Sequence, residues 1–204
     1  MIVVIDYNVG NVKSVCNAFG YIGCDVKLSR EPAAIESAAG LVLPGVAAFG
    51  YAVNALGSAA GRIKEQVLAG KPLLGICVGY QMLFDKSSEY GEHKGLGLID
   101  GNVVPLPAGR RIPHMGWNLV ELPEDMGLFA GLGTAKHFYF AHSFCAEPTD
   151  KNARIAYTNY DGIERVASVQ KANIYGVQFH PEKSSKAGLK VLENFAKICE
   201  ERNP

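Results

Sequence analysis

The chain has 204 residues, 48% of them hydrophobic, enough to bury one large core and to form a single domain spanning 1–204. Its 20 Lys and Arg balance 20 Asp and Glu, so no basic stripe is expected to neutralise a phosphate backbone and nucleic acid is excluded as the expected partner. Apolar runs stop short of membrane-spanning length and the opening MIVVIDY lacks a signal peptide's basic region, so no membrane contact and a cytoplasmic location are expected.

Short Val/Ile/Leu runs alternate with helical patterns through the first half. The strands expected at Ile2 to Ile5, Cys24 to Leu28 and Leu41 to Leu43 are followed by helices at Asn11 to Ile22, Pro32 to Ala38 and Tyr51 to Ala69. Continuous apolar strands in this βα rhythm predict an α/β fold, an open and mostly parallel sheet with helices on both faces. A further strand is expected before Cys77. The second half offers shorter segments at Gly101 to Leu106, Trp117 to Glu121, His137 to Ala141, Ile155 to Thr158, Val166 to Val169 and Ile174 to Phe179, read as a mixed or antiparallel extension of the same sheet. A closing amphipathic helix is expected over Ser184 to Glu200, with Leu189, Leu192, Phe195, Ala196 and Cys199 at helical spacing.

Chemistry concentrates at two points. Pro72-Leu-Leu-Gly-Ile-Cys-Val-Gly-Tyr-Gln81 reads as a strand, a sharp turn and a helix start, with Gly75 and Gly79 letting backbone approach closely around Cys77. A thiol at such a junction is a candidate nucleophile, and a helix beginning at Val78 would aim N–H groups at the sulfur. The alternative for any lone cysteine is a place in the core. Val177-Gln-Phe-His-Pro-Glu182 supplies a base, His180, and a carboxylate two residues on, Glu182, that would orient the imidazole. Alone it would read as a strand-end turn. The five cysteines are odd in number and lack any C-x-x-C pair, so neither a disulfide framework, a metal site nor a cofactor is expected.

Gly75, Cys77, Gly79 and Gln81, with Phe179-His180-Pro181-Glu182 about a hundred residues on, resemble the hallmarks of the class I, or triad, glutamine amidotransferases. Within that class the chain is similar to the glutaminase subunits of imidazole glycerol phosphate synthases of histidine biosynthesis. The narrower resemblance rests on Asp6-Tyr7, Gly10-Asn11 and Ser14, Pro44-Gly45-Val46 with Phe49-Gly50, Pro113 to Asn118 (PHMGWN), Tyr139 to Ser143 (YFAHS) and His180 to Ser185 (HPEKSS).

That resemblance implies hydrolysis of L-glutamine by a Cys77-His180-Glu182 triad, with oxyanion donors from Val78 and from the Gly45-Val46 loop. It implies substrate contacts at Gln81, at the backbone of His142, Ser143 and Phe144, and at Glu89 for the α-ammonium. Without it, Gln81 would read as packing and Glu89 as a solvated loop charge. The implied partner is a TIM-barrel cyclase that receives the ammonia, docking at Asn11, Ser14, His114, Met115, Trp117 and Lys183. Trp117 could equally be a core anchor, and exposure would favour the interface. Where the subfamily commonly has glycine, this chain has Ala47 and Asn8. Ala47 is expected to bias the oxyanion loop. Alternatives are the glutaminase of another synthase, or a non-catalytic scaffold on the same fold.

Overall fold

The structure, a computed structural model, describes residues 1–107 and 111–202; the expected span of 1–204 also takes in 108–110 and 203–204, which lie outside the described residues. In chain order β1 (Ile2–Ile5) leads to α1 (Val12–Tyr21), β2 (Val26–Ser29) to α2 (Pro32–Ser37), and β3 (Gly40–Leu43) to α3 (Phe49–Leu56) and α4 (Ala59–Leu68). Next come β4 (Leu73–Ile76) and the single-turn α5 (Val78–Gln81), then two-residue strands β5 (Lys86–Ser87) and β6 (His93–Lys94). The rest is β7 (Gly101–Pro105), β8 (His114–Glu121), β9 (Ala135–His142), β10 (Phe144–Pro148), β11 (Arg154–Tyr160), β12 (Ile163–Lys171), β13 (Ile174–Val177) and the long α6 (Ser185–Glu201).

Nine strands form one sheet in the order β2-β1-β3-β4-β13-β12-β11-β8-β9, parallel from β2 to β13 and antiparallel beyond. Every residue of β1, β3, β4 and β13 is buried, as strands covered on both faces require. Helices α1 and α6 pack together, as do α2 and α4. The open α/β sheet with its antiparallel extension is therefore as the sequence predicts.

Three expectations are corrected. The segment at Gly101 is not part of the main sheet; β7 joins β10, β5 and β6 in a separate four-stranded sheet. The long helix expected over 51–69 is two helices, because Gly57 adopts φ +54° at the end of α3 and turns the chain. The helix after Cys77 is one turn only, too short to carry the dipole expected of it. Among the described residues no helix is long and apolar enough to cross a membrane.

Candidate active site

Three neighbouring parallel strands end side by side, and their following residues make the site. Leu43 pairs with Gly75, Gly75 with Gly176, and Ile76 with Val177, so the residues after β3, β4 and β13 leave the sheet together. Residues about a hundred apart in sequence meet here; Cys77 N–H donates to the Val177 carbonyl at 2.8 Å. This is the position beyond the strand C-termini at which open α/β sheets carry their reactive groups.

Cys77 has φ +55° and ψ −110°, a left-handed conformation costly for a residue with a side chain and held here by the surrounding backbone. The framing glycines are required sterically. A Cβ on Gly75 would lie 2.7 Å from the Gly79 carbonyl oxygen, and one on Gly79 would collide with the carbonyl of Leu43. Cys77 is 3% exposed and lines a cleft of about 410 Å³.

His180 is 2% exposed, and its Nδ1 lies 2.9 Å from Glu182 Oε1, which leaves Nε2 for Cys77. Burial by itself pushes the imidazole pKa down; hydrogen bonds to Cys77 and Glu182, with the negative charge of both, outweigh it and raise the value to about 9. The backbone of His180 is strapped to β9. Its N–H donates to the Tyr139 carbonyl at 2.8 Å, and its carbonyl accepts from the buried Ser184 hydroxyl at 2.6 Å.

The expected oxyanion donors are present but not aligned. Val78 N–H donates to the Gly45 carbonyl at 3.3 Å. Because a trans peptide points its C=O and N–H in opposite directions, the Val46 N–H faces away from Val78 in this arrangement. Tyr7, buried against the start of the same loop, donates its hydroxyl to the Pro44 carbonyl; burial and then the charge of Cys77 hold its pKa far above the ordinary phenol value.

Gln81, Glu89, His142, Ser143 and Phe144 line the cleft with Cys77 and His180. Gln81 is 2% exposed; its Nε2 donates to the Phe144 carbonyl at 3.0 Å and to Gln178 Oε1 at 2.9 Å. Glu89 accepts the Phe49 N–H at the start of α3 at 2.7 Å while still facing the cleft. The Phe144 carbonyl also accepts from His142 Nδ1 at 2.8 Å. That fixes His142 Nε2 as the acceptor for His114 Nδ1 at 2.9 Å. Burial lowers the pKa of His142 to about 3 and of His114 to about 4, so both rings are neutral.

Of the residues expected at a partner surface, Met115, Trp117 and Lys183 are exposed, with Met115 and Lys183 also lining the cleft. Trp117 is 54% exposed, so it is no core anchor. Asn11 and Ser14 are half-buried at the start of α1, which packs on the 3-10 turn Pro181–Lys183. His114 differs: it is buried between Phe140 and Tyr160 and presents no surface. Two residues that sequence reasoning did not single out stand against the site, Tyr7 and Gln178. Both lie in quoted motifs, but neither residue type announces its use.

Residues 3–199 match the family Glutamine amidotransferase class-I. The chain is 45% identical over 198 residues to "Imidazole glycerol phosphate synthase subunit HisH" of Methanothermobacter thermautotrophicus, covering 97% of this chain and 98% of that one. It is 43% identical to the protein of the same name from Aquifex aeolicus, covering 97% of each. Among solved structures the fold is shared with PurLQS of Thermotoga maritima (TM-score 0.76, 21% identity, 97% of each covered) and with a glutamine amidotransferase of the same organism (TM-score 0.63, 17% identity, 98% of this chain and 84% of that one). With the family match spanning both halves of the site, the chain belongs to the class-I glutamine amidotransferases, in the group that contains the HisH subunits of imidazole glycerol phosphate synthase.

Proposed function

We propose that the protein hydrolyses L-glutamine to glutamate and ammonia through a thioester on Cys77, and hands the ammonia to a TIM-barrel cyclase subunit that makes imidazole glycerol phosphate. The observation that carries this reading is the buried Cys77-His180-Glu182 arrangement opening into the cleft. The sulfur attacks the side-chain amide carbon, and His180 delivers its proton to the departing ammonia. Water then attacks the thioester with His180 taking its proton, and glutamate leaves as the sulfur is released. Both steps place negative charge on the former amide oxygen.

Two N–H donors are needed there, and in this conformation Val78 is occupied by the Gly45 carbonyl. Rotation of the Gly45–Val46 peptide would free Val78 and turn the Val46 N–H inward in one motion. Glutamine hydrolysis is thereby coupled to whatever favours the rotated loop, and the cyclase is the reasonable source. Met115, Trp117 and Leu119 project from one face of β8 at 63%, 54% and 43% exposure, an apolar stripe beside the cleft suited to such a partner. Lys183 Nζ stands 5.8 Å from the Tyr139 ring at the same edge. The chain acts as one domain, in the cytoplasm, on a small-molecule substrate.

The deciding experiment uses the complex with the cyclase. Cys77→Ala is expected to abolish glutamine-dependent synthesis and leave ammonia-dependent synthesis within about twofold, since the alanine removes the nucleophile without touching the cyclase. Sustained glutamate release by the variant would refute the reading.

A further inference from the structure

We infer that Gln178 is a positioning residue for the Cys77 sulfur, an amide that holds and stabilises the thiolate as a second donor besides the base; this rests on reading Cys77 as the nucleophile. Gln178 is fully buried at the end of β13, the strand paired with β4. The register that sets Val177 beside Ile76 brings the next residue on each strand, Gln178 and Cys77, alongside one another. Gln178 Nε2 lies 3.8 Å from Cys77 Sγ, within reach of a large polarisable sulfur, and the amide can approach it only as a donor when the sulfur is anionic.

The orientation of that amide is not free. Its Oε1 accepts from Gln81 Nε2 at 2.9 Å, and the same Gln81 nitrogen donates to the Phe144 carbonyl at 3.0 Å. The backbone carbonyl of Phe144 fixes the Gln81 NH₂ in place, so the Gln178 atom facing that NH₂ must be its acceptor oxygen, which turns the Gln178 NH₂ toward the sulfur. Backbone contacts lock the frame: Gln178 N–H donates to the Ala167 carbonyl at 2.8 Å. The titratable groups facing Cys77 are His180, with Glu182 behind it, Tyr7 from the loop after β1, and Glu89, Tyr90, His142 and Lys183, which line the same cleft. Gln178 adds a donor with no charge of its own to compete with the imidazolium.

The test compares Gln178→Met, which keeps length and removes the donor, with Gln178→Glu, which keeps shape and adds negative charge. Alkylation of Cys77 by iodoacetamide, mapped by mass spectrometry across pH, reports the thiolate without any turnover. The pH midpoint should rise by about one unit in Gln178→Met and further in Gln178→Glu, as loss of a hydrogen bond to a charged group predicts. Glutaminase kcat of the complex should fall about tenfold while KM for glutamine stays within about twofold. A thermal midpoint measured beside each curve separates this from simple destabilisation, which would leave the alkylation midpoint in place. Unchanged alkylation midpoints in both folded variants would overturn the role of Gln178. Failure of Cys77 in the parent protein to alkylate ahead of the other cysteines would instead overturn the nucleophile and this inference with it.

Discussion

His180 is where the physics of single residues is most exposed. Its pKa, raised to about 9 from an ordinary 6.5, is a balance in which burial lowers it and the Cys77 and Glu182 contacts raise it more. A folded-state value above the unfolded one stabilises the protein fully below about 6.5, and that contribution is lost as pH rises through about 9. The imidazolium that would protonate ammonia is lost over the same window. Removing Cys77 deletes part of what raises the pKa and leaves burial in place. The imidazole resonances of His180 should therefore titrate near 9 in the parent and at a clearly lower pH in Cys77→Ala; identical midpoints would show that the sulfur does not hold the proton there. The triad residues are legible in sequence because cysteine, histidine and glutamate stand at motif spacing. Gln178 is not, since an amide at a strand end acquires its meaning only from the register of β13 on β4. Asn8, where the resemblance implies a glycine, takes φ +61°, a conformation that asparagine tolerates better than other side-chain residues.

Among elements, the loop after β3 is the one on which the proposed oxyanion site depends. Turning the Gly45–Val46 peptide over changes ψ of Gly45 and φ of Val46, and Val46 is not at positive φ in this structure. Rotation would drive a β-branched residue toward positive φ, a cost of about 1–3 kcal/mol that, on the proposed mechanism, would hold the isolated chain with its donors apart. In such a rotation the strain would fall on Val46, beside Ala47, the residue to which the sequence alone directs attention. Val46→Gly should accordingly raise partner-free kcat for glutamine by about tenfold and leave the partner-stimulated rate within about threefold. A basal rate unmoved by the glycine would mean that the loop is not what limits it. The β1, β3 and β4 strands are readable from sequence because fully buried parallel strands are continuous apolar runs. The second sheet is not. β5 and β6 are two residues each, too short for any pattern, and β7 pairs with β10, some forty residues away, a contact that local periodicity does not encode.

At the scale of the whole molecule, one sheet does two jobs. Its parallel half brings Gly45, Cys77 and His180 to adjacent strand ends, and its antiparallel half carries β8, whose exposed Met115, Trp117 and Leu119 lie beside the same cleft. The residues between are not slack. His114 and His142, both neutral and buried, link β8 through the Phe144 carbonyl and Gln81 to Gln178. His114 thus belongs to the interior behind the proposed docking face. Strand order, which decides all of this, is legible in the sequence only as a parallel first half and a different second half. The most direct test of the account is covalent trapping. The complex is incubated with a glutamine analogue carrying an electrophilic diazoketone in place of the amide, then digested and mapped by mass spectrometry. A single adduct on Cys77, with loss of glutamine-dependent but not ammonia-dependent synthesis, is the predicted result; inactivation with the adduct on any other residue would contradict it.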